Sequence, residues 1–334
     1  MSNLDRHPDE SVLVTGDPGS VVQILEPRSV PLGGPRAMTV YRTLPQRIRS
    51  MVGAWCFVDH YGPDPVAESG GMAVPRHPHT GLATVSWLFG GEIDHLDSAG
   101  NSAVVRPGEL NLMIAGRGIT HSEFSTAQTV SLHGVQLWYA LPESTRHGGK
   151  SFHHHVPLPV EVAGARARVF IGELLGAVSP VATKTTDLLG AEIVIEPGAE
   201  ITVGIRPDFE HAVLAESHPV SVNGTPVAHR VMGYLPTGTD TLTLRAGTDG
   251  ARVLVLGGVP FDEEIVMWWN FVGRTHEEIA EYRRRYQAEL GFEPSAANPA
   301  DEFTLFGPFP DDQPAPLPAP VLPRTRIRPR HRLR

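Results

Sequence analysis

The chain has 334 residues, 41% of them hydrophobic, which is enough to bury a sizeable core in two domains of ordinary size. Its 34 glycines and 31 prolines favour a turn-rich β architecture over a helical bundle. The formal net charge of −9 argues against a general nucleic-acid-binding surface, and the single cysteine, Cys56, excludes an intrachain disulfide.

The composition also bears on where the protein works. The chain opens without a positive segment followed by an apolar one, and no apolar run approaches the ~20 residues of a membrane span. A single cysteine is compatible with a reducing compartment. We therefore expect a cytoplasmic protein with no membrane partner and no direct nucleic-acid binding.

The first domain is predicted over residues 21–142, after a flexible lead-in at residues 1–20. We expect its first strand to begin at Gln23 and its last strand to run through Trp138. Between them the sequence alternates short strands, such as residues 83–89, with glycine turns. The pattern predicts a hairpin-rich β-barrel.

Two pairs of metal-ligating residues lie inside this domain, His77 with His79 and His121 with Glu123. Side chains at i and i+2 share one face of a strand, so each pair can point into the barrel. A sheet can fold the two pairs together, although a register slip of one residue would turn them outward. Three imidazoles and one carboxylate suit iron, nickel, copper, zinc or manganese better than calcium or magnesium.

The motifs around these pairs resemble the pirin family, a branch of the cupin superfamily. The similarity is carried by DHYGP at residues 59–63, HPHTG at 77–81, DSAG at 97–100, AGRGITHSE at 115–123 and LHGVQLW at 132–138. The resemblance implies an all-β bicupin, in which two cupin-type barrels (double-stranded β-helices) lie in tandem. It also implies one metal, usually iron, in the N-terminal barrel, with ligands at His77, His79, His121 and Glu123.

Two departures from the family pattern stand out. Relatives commonly carry a glutamate four residues after the second histidine, where this chain has Ala83, so Glu123 is the only obvious carboxylate ligand. Near the end of the second half, residues 267–274 read MWWNFVGR instead of the GPFVMN-like run common in pirins.

The second half is predicted to hold a crossover at residues 143–165 and a second barrel at residues 166–292. His211, His218 and His229 form no His-x-His pair, so we expect this barrel to bind no metal. One short C-terminal helix is predicted, with a capping box from Thr275 to Glu278 and a stop at Gly291.

Residues 293–334 form a tail rich in proline and arginine that we expect to be disordered. The last eleven residues hold six arginines and no acid. A solvated tail is favoured over a contact with an anionic partner.

Several other polar and aromatic residues have a structural and a functional interpretation. The adjacent His153, His154 and His155 cannot all face one ion from an extended chain, so we favour surface or crossover structure over metal binding. Trp268, Trp269 and Phe271 favour core or interdomain packing over a ligand-binding box. The Arg283–Arg285 run favours a solvated helix face. His60, His95 and His133 are candidates to orient the ligands, with ordinary structural histidines as the alternative.

Three function classes follow. The first is an Fe(II)-dependent dioxygenase that acts on quercetin-like or other enolisable aromatic substrates; Glu123 would accept the proton of a metal-bound hydroxyl, and the enolate would react with dioxygen. The second is a non-catalytic redox-sensing regulator or transcription cofactor that binds a protein partner. The third is a metal-dependent isomerase or hydrolase.

Overall fold

The computed structural model describes residues 22–32, 38–294 and 304–328. The expected lead-in at residues 1–20 lies outside the described residues. Strands dominate the described chain, and helix α1 (Val66–Ser69) and helix α2 (His276–Glu289) are the helices of that part. No helix within the described ranges has the length and apolarity needed to cross a membrane.

The first barrel is built from a seven-stranded sheet and a four-stranded sheet, both antiparallel. After β1 (Gln23–Leu25), its strands are β2 Arg28–Leu32, β3 Met38–Leu44, β4 Trp55–Pro65, β5 Ala73–His79, β6 Leu82–Gly90, β7 Ile93–Asp97, β8 Ser102–Val105, β9 Leu110–Ile114, β10 Ile119–Ser125, β11 Ser131–Ala140 and β12 Ser151–His155. The larger sheet has the order β12-β9-β6-β11-β4-β3-β2, and the smaller sheet has the order β5-β10-β7-β8.

The second barrel repeats this plan. Its strands are β13 Val160–Val162, β14 Ala165–Ile171, β15 Glu173–Leu174, β16 Ala177–Val178, β17 Leu188–Ile195, β18 Glu200–Gly204, β19 Glu210–Ala215, β20 Val220–Val222, β21 Thr225–Val227, β22 Met232–Leu235, β23 Thr241–Ala246 and β24 Ala251–Gly258. The large sheet has the order β1-β22-β19-β24-β17-β14-β13, and the small sheet is β18-β23-β20-β21. A last hairpin, β25 Val266–Trp268 and β26 Phe271–Gly273, leads into α2.

Strand β1 joins the second barrel, and the predicted crossover at residues 143–165 contains an edge strand of the first barrel. Strand β1 pairs with β22 of the second barrel, so the first barrel does not begin at Gln23. Strand β12, which carries His153, His154 and His155, pairs with β9 of the first barrel and is not a simple crossover. In both cases the strand covers a sheet edge whose backbone groups would otherwise lack partners.

The outer face of the first barrel's large sheet packs against the second barrel. Alternate residues of β6, including Ala83, Val85 and Trp87, are fully buried and share one apolar cluster with Phe170 and Leu256 of the second barrel. The residues between them, such as Ser86, point into the first barrel. The large sheet is therefore buried on both faces, with an apolar side toward its neighbour and a polar side toward the barrel interior.

The C-terminal helix follows the prediction closely. The Thr275 side chain accepts the Glu278 backbone N–H and caps α2. Arg283 departs from the predicted solvated face, because its guanidinium donates to the Pro320 carbonyl and to Glu293.

The tail differs from the expected disorder over residues 304–328. Phe306 is fully buried, and Ala319 is nearly so, in a cluster with Phe271 and Tyr286. These apolar side chains outweigh the proline-rich composition, because each one finds a buried site beside α2. Arg326 lies at the surface and pairs with Glu277 at 2.6 Å.

Candidate metal centre

The predicted ligand pairs lie on neighbouring strands of the four-stranded sheet. His77 on β5 faces His121 on β10 across the ladder, and a β-bulge lies between His121 and Glu123. On the other side of β10, Glu123 faces His95 and His121 faces Asp97, both on β7. Residues directly opposite in an antiparallel pair share a face, so three strands present their i, i+2 pairs to the barrel interior.

The three predicted histidines converge. Ligand atoms of His77, His79 and His121 all lie within 4.8 Å of one another, and the rings are buried. Nε2 of His79 is 3.0 Å from Nε2 of His121. Two ligand bonds of about 2.1 Å that meet at a right angle place their donor atoms about 3.0 Å apart, so the spacing fits a shared ion.

Glu123 lies next to the three-histidine centre, and His121 lies between them. It forms a second group with His95 and His121, in which the ligand atoms again lie within 4.8 Å of one another. The Ser86 hydroxyl donates to Glu123 Oε1 at 3.3 Å. The structure thus places Glu123 in the same cavity as the three histidines, with His121 common to both groups.

The ring orientations of two histidines are fixed by contacts at Nδ1. His77 Nδ1 lies 2.9 Å from the Pro75 carbonyl oxygen, which makes Nδ1–H the donor and leaves the Nε2 lone pair free. His121 Nδ1 lies 3.4 Å from His95 Nδ1, and His95 Nε2 lies 3.4 Å from Asp97 Oδ2. The remaining ring nitrogens are therefore the natural metal ligands.

Burial sets the protonation of the site. It lowers the pKa of His77 to about 4 and lowers the pKa values of His79 and His121 well below the ordinary histidine value. The imidazoles are thus neutral near pH 7, the state in which they bind metal. Burial also raises the pKa of Glu123, which makes this carboxylate a stronger base than an exposed glutamate.

A cavity of about 670 Å³ opens from these ligands toward the surface. One wall is aromatic, because Phe57 and Trp138 stack at 4.0 Å between ring centroids with planes 12° apart. Asp59, held by Arg42 at 2.6 Å, supplies a charged pair on the same wall. The cavity therefore combines a large apolar surface with a few polar groups, as ligand sites commonly do.

Distant parts of the chain complete the cavity. Met267, Trp269 and Asn270 come from the last hairpin, and Leu317 comes from the tail. The Leu317 backbone N–H donates to the Arg76 carbonyl at 2.8 Å, next to His77. The sequence did not indicate Leu317 as a site residue, and for Trp269 it favoured packing over the alternative of a ligand-binding box.

Other candidate residues fall elsewhere. Ala83 packs in the apolar cluster between the barrels, on the opposite face of β6 from Ser86, so a glutamate at this position would not face the ligands. Of the three histidines considered as ligand-orienting groups, only His95 touches the centre. His60 and His133 instead form a group with Glu216 of the second barrel.

Comparisons with known proteins agree with this architecture. The Pirin family model matches residues 37–139, and the model of the pirin C-terminal cupin domain matches residues 190–292. A Pseudomonas aeruginosa protein that carries a provisional quercetin 2,3-dioxygenase name is 41% identical over 268 residues, which are 80% of this chain and 84% of that protein. A Caulobacter vibrioides pirin-like protein is 35% identical over 261 residues, which are 75% of this chain and 88% of that protein.

The solved structures point the same way. The crystal structure of a quercetin 2,3-dioxygenase from Acinetobacter baumannii aligns with a TM-score of 0.83 at 34% identity, covering 93% of this chain and 98% of that one. The chain belongs to the pirin family, and its two halves are the two cupin domains of that family.

Proposed function

We propose that this protein is a metal-dependent dioxygenase acting on a quercetin-like or other enolisable aromatic substrate. The observation that carries the proposal is the convergence of three neutral, buried imidazoles at the base of an aromatic-walled cavity of about 670 Å³. Two relatives that bear quercetin 2,3-dioxygenase names support the same reaction class.

In this proposal His77, His79, His121 and Glu123 hold one divalent transition metal, with Fe(II) as the preferred ion. When bound, the metal supplies a Lewis acid that lowers the pKa of a substrate hydroxyl and leaves open positions for substrate and dioxygen. His95 and Asp97 orient His121 from behind, because they occupy its Nδ1 side.

Glu123 is the proposed general base. Its carboxylate lies beside the ligands, and the one hydrogen of the Ser86 hydroxyl can be donated either to Glu123 Oε1 at 3.3 Å or to Gln136 Oε1 at 3.0 Å. The raised pKa allows Glu123 to accept a proton from an enol or phenol hydroxyl and to hold it away from water. Loss of that proton leaves an electron-rich enolate, the form that reacts with dioxygen.

The cavity walls suit a flat aromatic substrate. Trp138 stacks on Phe57, whose other face lies under the Arg42 guanidinium at 4.4 Å, and the Trp138 ring is nearly perpendicular to the His79 ring with centroids 5.0 Å apart. A substrate that packs against this aromatic wall beside Trp138 would bring its hydroxyl to the histidines. The Arg42–Asp59 pair offers a polar group to a second hydroxyl further along the same wall.

The experiment is oxygen uptake by iron-reconstituted protein with quercetin, in parallel with metal analysis. We expect Glu123→Gln to retain the metal, because the three imidazoles still hold it. Its rate of oxygen uptake should fall about 100-fold, the usual contribution of a general base. The matched control is Glu92→Gln, which removes a partly exposed carboxylate paired with Arg106 at 3.3 Å on the same barrel.

Three results would count against the proposal. Uptake unchanged in Glu123→Gln would remove that residue from the reaction. Absence of uptake across a panel of flavonols and phenols by fully iron-loaded protein would reject the dioxygenase. Turnover under nitrogen, retained with redox-inert Zn²⁺, would indicate an isomerase or hydrolase instead.

A further inference from the structure

A second group of metal-ligating side chains lies between the two barrels. His60 on β4 and His133 on β11 belong to the first barrel, and Glu216 follows β19 of the second barrel. Their ligand atoms lie within 4.8 Å of one another. His60 and Glu216 are fully buried, and the His133 side chain is 16% exposed.

This group is separate from the pirin metal centre, although the same strands carry both. Asp59 and Tyr61 point into the first barrel and line its cavity, so His60 between them points out of the barrel. On β11, Gln136 points inward to the cavity, whereas His133 faces outward beside His60, with ring centroids 5.5 Å apart.

Both ring nitrogens of the buried His60 lack a hydrogen-bond partner. Nε2 of His133 and Oε1 of Glu216 are in direct contact with each other beside this ring. His60 Nε2 is 3.6 Å from Glu216 Oε1, which is beyond a hydrogen bond. Buried ring nitrogens without partners are rare and expensive, so the unpartnered His60 ring beside His133 and Glu216 indicates a missing ligand.

The chemistry of that ligand follows from the donors. Burial lowers the pKa of His60, so its ring is neutral. Burial alone would raise the pKa of Glu216, but the neighbouring His133 and His60, together with Arg252, outweigh it and lower the pKa to about 2. The imidazoles of His60 and His133 and the ionised carboxylate of Glu216 form a common ligand set for Zn²⁺.

The nearby cations leave room for such an ion. Arg252 Nη1 lies 3.3 Å from Glu216 Oε2, and its Nε lies 3.1 Å from Glu192 Oε1. One guanidinium is therefore shared by two carboxylates, and Glu216 Oε1 remains directed at the histidines. Arg230, the other nearby cation, donates to the Gly62 carbonyl at 3.0 Å and stacks on Tyr41.

We propose that His60, His133 and Glu216 form a second divalent-metal site, of the type that Zn²⁺ occupies, which ties the two barrels together. Nε2 of His133 and Oε1 of Glu216 are now 2.5 Å apart, whereas two ligands of one zinc ion lie about 3 Å apart or more. Binding therefore includes a small outward rotation of the His133 ring, the one ring in the group with an exposed edge.

The test counts zinc ions on the full chain after metal stripping, addition of Zn²⁺ and dialysis against a weak chelator. We expect two equivalents on the unmodified protein and one on the His77→Ala/His121→Ala protein. His133→Ala and Glu216→Gln should each hold one, while His154→Ala, a control for the exposed histidines of β12, should keep two. Added Zn²⁺ should raise the Tm of the His77→Ala/His121→Ala protein, and adding His133→Ala should abolish that rise.

Each outcome decides the matter. One equivalent on the unmodified protein, with none on the His77→Ala/His121→Ala protein, would overturn the second site. Two equivalents that survive both His133→Ala and Glu216→Gln would place the second ion elsewhere. If His133→Ala fails to fold, the conservative Glu216→Gln and the count on the unmodified protein still decide it. Because His77 and His121 do not belong to this group, failure here leaves the proposed dioxygenase untouched.

Discussion

Phe306 is the side chain on which docking of the C-terminal segment depends most. It is fully buried, its ring lies edge-on to Tyr286 at 5.3 Å, and it also packs on Phe271 at 6.1 Å. Its carbonyl accepts the Thr120 hydroxyl at 3.2 Å, one residue from His121. The segment that Phe306 anchors goes on to Leu317, which lines the metal cavity.

Phe306→Ala should release this segment. Truncation of a buried phenylalanine costs about 3–5 kcal/mol, which lowers the ratio of docked to undocked segment by about 100- to 1000-fold or more. The backbone N–H groups of Leu305 and Phe306 donate to Glu289, and that of Ala319 donates to Gln287, so these three amides report docking directly.

Hydrogen exchange measured by mass spectrometry or NMR gives the result. We expect protection of these three amides to fall by at least about 100-fold in Phe306→Ala, with little change in strands of the second barrel. Val321→Ala is the matched control, because Val321 lies in the same segment with 85% of its surface exposed. Unchanged protection in Phe306→Ala, or equal loss in Val321→Ala, would refute this explanation of docking.

Two further predictions concern the pH dependence of stability and substrate binding. Burial lowers the pKa of His211 to about 4. In the unfolded chain His211 takes up a proton near pH 6.5, whereas in the folded chain it does not. The free energy of unfolding therefore falls as the pH drops from 6.5 toward 4. Between pH 7 and pH 5 the free energy of unfolding, measured by urea denaturation, should fall by about 2 kcal/mol more in the unmodified protein than in His211→Gln. The same fall in both proteins would contradict this prediction. For the proposed reaction, Leu317→Ala should raise the KM for quercetin about fivefold, because it removes about 1 kcal/mol of apolar contact with the substrate. The metal content should not change. An unaltered KM would show that Leu317 does not contact the substrate.

The fold class and the family could be predicted from the sequence, and both are confirmed. Strand alternation was sufficient to predict that His77 and His79 share a face, as do His121 and Glu123, because that rule is local. The structure places all four in one cavity. Their role as ligands to a metal stays a prediction.

His95 and Asp97 show how a local signal was missed. They form an i, i+2 pair of the same kind, on the strand next to β10. The sequence does not reveal that β7 pairs with β10, since register between strands distant in the chain depends on the packed barrel. Without that register, His95 could only be grouped with His60 and His133, which lie on the other face of the large sheet.

The pairing of β1 with the second barrel and the docking of the tail could not be predicted for a related reason. Strand β1 is close in sequence to the first barrel, yet it pairs with β22, about two hundred residues away. Leu317 meets the cavity only because Phe306 and Ala319 dock on α2. Contacts of this kind depend on which apolar sites the assembled barrels leave open, and composition alone does not encode them.

The most direct test of metal binding at the three-histidine centre is an anomalous-scattering map from crystals of the iron-loaded protein. The structure predicts a peak about 2.1 Å from Nε2 of each of His77, His79 and His121, on the side of the cavity where Glu123 lies. A map with no peak among these three rings, from crystals whose iron content is at least one per chain, would contradict the assignment.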